Sequence, residues 1–159
     1  MEKIRITKIF RFEMAHALLG YDGLCRNIHG HSYELRVTLI GEPDADAHSP
    51  KQGMLMDFSD LKRMVNGHIV DVYDHALVLH RETDAALVEQ LRSHYEKIIL
   101  MDSQPTSEHL LLHFVEILKD RLPSNVRLHS LRLAETATSY AEWYDEDNSL
   151  IIETNKQNE

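Results

Sequence analysis

The chain has 159 residues, enough for one domain with a proper hydrophobic core. It is 43% hydrophobic and 27% charged, the balance of an ordinary globular protein. Its net charge of −9 argues against a general nucleic-acid binder, which needs surplus cations against phosphate.

The N-terminal stretch from Met1 alternates charged and apolar residues and lacks the apolar core of a signal peptide. No run approaches the roughly 18 apolar residues of a membrane span. The expected setting is the cytoplasm, with no membrane or nucleic-acid partner. One domain is expected over 1–154, followed by a polar tail at 155–159.

Ile4, Ile6, Phe10, Phe12, Met14 and His16 share one parity, broken only by Lys8. That period of two predicts a long strand with one apolar face. Leu18–Asn27, with Gly20 and Gly23, reads as a loop. A second strand follows over Ser32–Gly41, through Tyr33, Leu35, Val37 and Leu39. The two strands are expected to pair antiparallel. From Asp57 the spacing turns helical through Leu61, Val65, Ile69 and Val72, with Gly67 as a weak point. Further helices are predicted over about 84–100 and about 106–122, the latter bounded by Pro105 and Pro123. Strands return over 126–135 and 139–144. This order predicts an α+β fold: an antiparallel four-stranded sheet with helices on one face.

The chain's one cysteine excludes an intrachain disulfide and any multi-cysteine zinc motif, while its eleven histidines offer ample imidazole. His29-Gly30-His31 places two imidazoles on one side of an extended chain. His16 ends the neighbouring strand on its apolar parity. If the strands pair, three imidazoles converge, the donor set of a catalytic zinc with one open position. A single histidine at a strand end is more often merely solvated or hydrogen-bonded. Cys25, four residues before His29, is either a small buried hydrophobe or an activated thiol. Asp74-His75 is either a turn or a pair in which the carboxylate fixes the imidazole tautomer.

The ordered motifs Phe12-Glu13-Met14-Ala15-His16, Cys25 with His29-Gly30-His31, Met56-Asp57-Phe58, Asp74-His75, Pro105-Thr106-Ser107-Glu108 and Glu135-Thr136 resemble the 6-pyruvoyl-tetrahydropterin synthase / 6-carboxytetrahydropterin synthase family. The resemblance implies the tunnelling fold, β-β-α-α-β-β, in trimers or stacked trimers with active sites between subunits. It implies Zn2+ on His16, His29 and His31, with Cys25, Asp74 and His75 as the catalytic groups. It makes Glu135 the carboxylate that anchors the pterin, a role suited to a group accepting two parallel N–H bonds. Thr106 and Ser107 become further pterin contacts, with helix capping as their alternative role. Glu108 at the same turn favours the helix N-terminus electrostatically.

The implied substrate is 7,8-dihydroneopterin triphosphate. The three-residue gap between Cys25 and His29 resembles the bacterial 6-carboxytetrahydropterin synthases of the queuosine pathway. The alternatives are the pyruvoyl-forming enzyme, a non-catalytic zinc or pterin module, and a cysteine hydrolase. The sequence departs from the family at Met14, where alanine is usual, and at Ala76–His80, which lacks a common asparagine. It also carries an extra helical segment at about 81–104. A chain of −9 must still receive a polyanionic substrate, so local Lys or Arg is expected there.

Overall fold

The computed structural model describes residues 2–149. The polar tail expected at 155–159 lies outside them. Strand β1 (Ile4–His16) and strand β2 (His29–Gly41) pair antiparallel over 13 residues, with His16 opposite His29 and Ile4 opposite Gly41. β2 therefore begins three residues earlier than predicted, and His29-Gly30-His31 lies inside it. β5 (Val126–Ala134) joins the far edge of β2, and β6 (Tyr140–Tyr144) joins β5, both antiparallel.

The sheet does not stop at four strands. Among the described residues it has six, in the order β4-β3-β1-β2-β5-β6. β3 (Ala76–His80) and β4 (Ile98–Met101) extend it in parallel beyond β1. The expected antiparallel four-stranded sheet is thus corrected to a mixed sheet, while the α+β class holds. The reason is local. Ala76–Leu79 is a four-residue apolar run whose periodicity cannot separate strand from helix. The helix predicted over 84–100 ends early: α3 spans Ala85–His94, and Tyr95 already has extended backbone. The segment at 81–104 is therefore a helix plus an edge strand.

The alternation of β1 and β2 produces two unlike faces. Phe10, Phe12, Met14, Tyr33, Leu35, Val37 and Leu39 are buried on one. The opposite face carries Thr7 against Thr38 (2.8 Å), and Glu34 between Arg11 (2.7 Å) and Arg36 (2.9 Å). Those two guanidinium groups, Arg36 first, hold the Glu34 carboxyl below its ordinary range. Lys8, the one break in the apolar parity, sets its ammonium 5.8 Å from the Phe58 ring, so its stem packs while its charge stays wet.

Two helical stretches cover the apolar face. α1 (Phe58–Val65) starts at Asp57, whose carboxylate accepts from the Ser59 amide at 2.7 Å. It runs through a π turn (Asn66–Val70) into the short α2 (Asp71–Tyr73). Leu61, Val65, Ile69 and Tyr73 are all buried. A strict spacing of four drifts by about 40° per step on a regular α-helix. The wider π turn removes part of that drift and keeps all four side chains on the core. The weak point at Gly67 falls within it.

α4 (Ser107–Lys119) buries Leu110, Leu111, Phe114, Val115 and Leu118. Phe114 meets Tyr73 at 5.0 Å and Phe12 at 6.3 Å, ring centre to ring centre, both edge-on. That contact ties both helical stretches to β1. Burial alone pushes the Tyr73 phenol up to about 12. Among the described residues no helix is long and apolar enough to cross a membrane.

Phe114→Ala should cost about 3–5 kcal/mol, because it opens a cavity where three elements meet. Urea unfolding of the variant beside the parent chain measures this.

Candidate metal centre and active site

The β1–β2 register sets His16 directly across from His29, and Met14 across from His31. Gly30 permits the close pairing: a Cβ there would lie 3.3 Å from the Met14 carbonyl oxygen. The three ring centres are 4.5 to 5.2 Å apart. One ring nitrogen from each histidine lies within 4.8 Å of the others, an arrangement that could hold a metal ion.

The hydrogen bonds around the rings fit that use. The Nδ1–H of His16 donates to the Pro105 carbonyl at 2.6 Å. The Nδ1–H of His29 donates to the Asn27 carbonyl at 2.8 Å. Each carbonyl thereby fixes a tautomer whose Nε2 carries a lone pair, the pattern usual around metal-ligating histidines. The two Nε2 atoms then face each other at 3.1 Å. Two lone pairs at that distance repel unless a proton or cation lies between them. A proton is disfavoured: burial above all, then the His29 and His31 rings, lowers the His16 pKa despite Pro105 and Glu135. Neutral imidazole nitrogens aimed at one point suit a borderline cation such as zinc.

Glu135, just past β5, reaches the same place. Its Oε1 is 4.0 Å from His16 Nε2, and the Tyr33 hydroxyl donates to it at 3.3 Å. Tyr33 is buried, stacks on Phe12 at 5.4 Å and meets the His31 ring edge-on at 5.6 Å. Burial, then the Glu135 carboxylate, then Cys25 raise its phenol pKa strongly, so it stays a donor. Cys25 lies in the connection between β1 and β2, ahead of His29. It sits in a 3-10 turn, Leu24–Arg26, and its carbonyl accepts from the Leu18 amide at 3.0 Å. The sequence reading does not single out Tyr33 as functional. Its position two residues beyond His31, on the same parity, is the signal that could have found it.

Asp74 and His75 sit at the edge of β1 away from β2. Asp74 Oδ1 accepts from the Glu13 amide at 2.9 Å, and the His75 amide donates to the Glu13 carbonyl at 2.6 Å. Asp74 Oδ2 lies 2.9 Å from His75 Nδ1. The Glu13 amide first, and the His75 ring second, hold the Asp74 carboxyl below its ordinary range. His75 has φ of +61°, a left-handed conformation that costs a residue with a Cβ. Its side chain is 76% exposed and opens onto a cavity of about 1000 Å3 bordered by Glu13, His31, Ser32 and Lys97. Among the described residues no hydrogen bond or ion pair joins Cys25 to Asp74 or His75.

At the start of α4, Thr106 is the N-cap, its hydroxyl accepting from the His109 amide at 3.4 Å, and Ser107 is buried in the first turn. Gln104 bonds the Leu19 main chain twice, through Oε1 to the amide (3.0 Å) and Nε2 to the carbonyl (2.6 Å). It thus pins the loop that leads to Cys25. Nothing in local sequence marks such a clamp 85 residues away from its partner.

Fold and site define an α+β protein with a three-histidine metal-binding arrangement at one end of its sheet. The family model described as 6-pyruvoyl tetrahydropterin synthase matches residues 5–146. A 6-carboxy-5,6,7,8-tetrahydropterin synthase of Haemophilus influenzae is 36% identical over 146 residues, covering 89% of this chain and 99% of that one. The Aquifex aeolicus protein of the same name is 32% identical over 169 residues, covering 91% and 99%. The 6-pyruvoyl tetrahydropterin synthase structure of Caenorhabditis elegans superposes with a TM-score of 0.64 at 25% identity, covering 91% of this chain and 96% of that one. The chain belongs to the 6-pyruvoyl tetrahydropterin synthase family.

His29→Ala should abolish stoichiometric metal binding while leaving the fold intact, since the residue lies at a strand end. Elemental analysis of the purified protein reads this, and unchanged metal content refutes the ligand assignment. Gln104→Ala should speed amide hydrogen exchange across residues 18–25 without altering exchange in β5.

Proposed function

We propose that this chain is a zinc-dependent 6-carboxy-5,6,7,8-tetrahydropterin synthase. It converts 7,8-dihydroneopterin triphosphate and water to 6-carboxytetrahydropterin, acetaldehyde and triphosphate, in the cytoplasm, within the queuosine pathway. One observation carries the chemistry: His16, His29, His31, Tyr33 and Glu135 are grouped at one end of the sheet, with Cys25 in the adjoining loop. The names of the bacterial relatives support the carboxy-forming branch.

Glu135 accepts two N–H bonds from the amino-pyrimidine edge of the pterin, and the Tyr33 hydroxyl aims that carboxylate. Thr106 and Ser107 bring the start of α4 against the pterin, with the Thr106 hydroxyl also capping the helix. His16, His29 and His31 would hold the zinc as neutral imidazoles, and the bound ion would supply polarisation of the substrate's side-chain oxygens. Cys25 takes a proton from a side-chain carbon as thiolate. His75, held by Asp74 through Nδ1, presents Nε2 to return one. Among the described residues no hydrogen bond or ion pair joins Cys25 to the Asp74–His75 pair, and in this reading different subunits of a trimer, or of two stacked trimers, complete each site. Such an assembly also lets cations of a neighbouring subunit meet the triphosphate.

Incubation with 7,8-dihydroneopterin triphosphate, followed by mass spectrometry, tests the reaction. Acetaldehyde with a 6-carboxy product is expected. A pyruvoyl side chain without acetaldehyde replaces this reading with 6-pyruvoyl-tetrahydropterin synthase activity. Pterin binding without turnover reduces the chain to a binding module. Cys25→Ala should keep fold and metal and lose at least about 100-fold in turnover. A fully active variant removes the thiol from the mechanism.

A further inference from the structure

Lys97 lies in the segment that the family motifs do not cover. It immediately precedes β4, and its carbonyl accepts from the Leu77 amide at 2.9 Å. Leu77 pairs with Ile98 in the parallel ladder, so the main chain at Lys97 is fixed. From there its ammonium donates to two carbonyl oxygens, those of Asp71 and Asp74, each at 2.7 Å.

Asp71 opens α2 and Asp74 follows it, so both carbonyls lie in the last turn of the stretch formed by α1, the π turn and α2. The last carbonyls of a helix lack intrahelical donors, and a cation there meets the negative end of the helix dipole. A capping lysine alone would be unexceptional. The peptide it holds is not. The Asp74 carbonyl belongs to the peptide bond that leads into His75, and His75 follows at φ of +61°. Fixing that oxygen fixes the peptide plane about which the His75 φ is measured. The other restraints are the Val70 carbonyl, which accepts from the Asp74 amide at 2.8 Å, and Glu13 of β1, whose amide holds the Asp74 carboxylate and whose carbonyl accepts from the His75 amide. The last of these holds the N–H end of the same peptide, and among the described residues the C=O end is held by the ammonium, without which the peptide is pinned at one end. Relaxation of His75 into an ordinary conformation would then re-aim its imidazole.

We propose that Lys97 is a positioning residue for the Asp74–His75 dyad, clamping the Asp74–His75 peptide so that the His75 ring keeps its aim. The proposal rests on the reading of that dyad as the proton-transfer pair. It also explains what the segment at 81–104 contributes, since β4 carries the clamp to the end of α2.

The test uses the full-length, metal-loaded protein. Lys97→Met keeps most of the aliphatic stem and removes the ammonium, while Lys97→Arg restores charged donors. Turnover of 7,8-dihydroneopterin triphosphate by Lys97→Met should fall by on the order of ten- to a hundredfold in kcat, the effect of losing charge-assisted hydrogen bonds. KM and bound metal should stay unchanged. Lys97→Arg should recover part of kcat. Amide exchange at residues 74–75 should quicken in Lys97→Met and slow again in Lys97→Arg. A cap with only a structural role would lower the melting temperature and leave kcat per folded molecule intact, which overturns the proposal. His75→Ala, measured in parallel, separates the two ideas. Full activity in His75→Ala overturns the dyad's role and the positioning role with it. An inactive His75→Ala beside a fully active Lys97→Met overturns the Lys97 role alone. Should Lys97→Met not fold, Lys97→Gln takes its place, with a smaller loss in kcat expected because a neutral N–H donor remains.

Discussion

The pairing of β1 with β2 is the constraint on which the rest depends. Side chains alternate along a strand, so a slip of one residue would exchange the two faces of the sheet. The observed register does two things at once. It puts Phe10, Phe12, Tyr33 and Leu35 under the helices, and it sets His16 opposite His29. The same hydrophobic pattern that buries the core therefore assembles the donor set at its end. The metal-binding arrangement costs the sheet little, because the imidazoles sit where the apolar stripe runs out. The outer nitrogens of His16 and His29 are already engaged by the Pro105 and Asn27 carbonyls.

The groups of the proposed reaction are held by different means. The histidines, Tyr33 and Glu135 stand on or beside paired strands, which gives them little freedom. Cys25 depends on a loop, and that loop depends on Gln104 and on the Leu18–Cys25 main-chain bond. Asp74 and His75 depend on a helix terminus docked on β1. Rigid elements thus carry the binding groups, whereas junctions carry the groups read as moving protons. A site of this kind is sensitive to side chains that never touch the substrate.

Much of this was legible in the sequence, and the reasons differ by element. Period two marked β1 and β2 because one face is wet and one is dry. The Pro105 and Pro123 boundaries marked α4 to within a few residues. The tripeptide His29-Gly30-His31 marked the centre because residues two apart share a side of a strand. β3 and β4 were illegible for the opposite reason: short apolar strands carry no alternation to detect. Gln104 and Lys97 escaped because their partners are main-chain atoms distant in sequence, which leave no trace in residue type.

The π turn at Asn66–Val70 has a consequence beyond the packing of Ile69 and Tyr73. A helix is a rotary element: the angle at which the chain leaves it depends on how many residues each turn consumes. Here the overfilled turn sets the exit so that Tyr73 points inward and Asp74, one residue on, arrives at the Glu13 amide. Rewinding this turn as regular α would advance everything downstream by a fraction of a revolution. The dyad would be mis-indexed while remaining chemically complete. The loose winding around Gly67 thus acts as a phase setting, and the bearing of His75 is decided two turns before the chain reaches it.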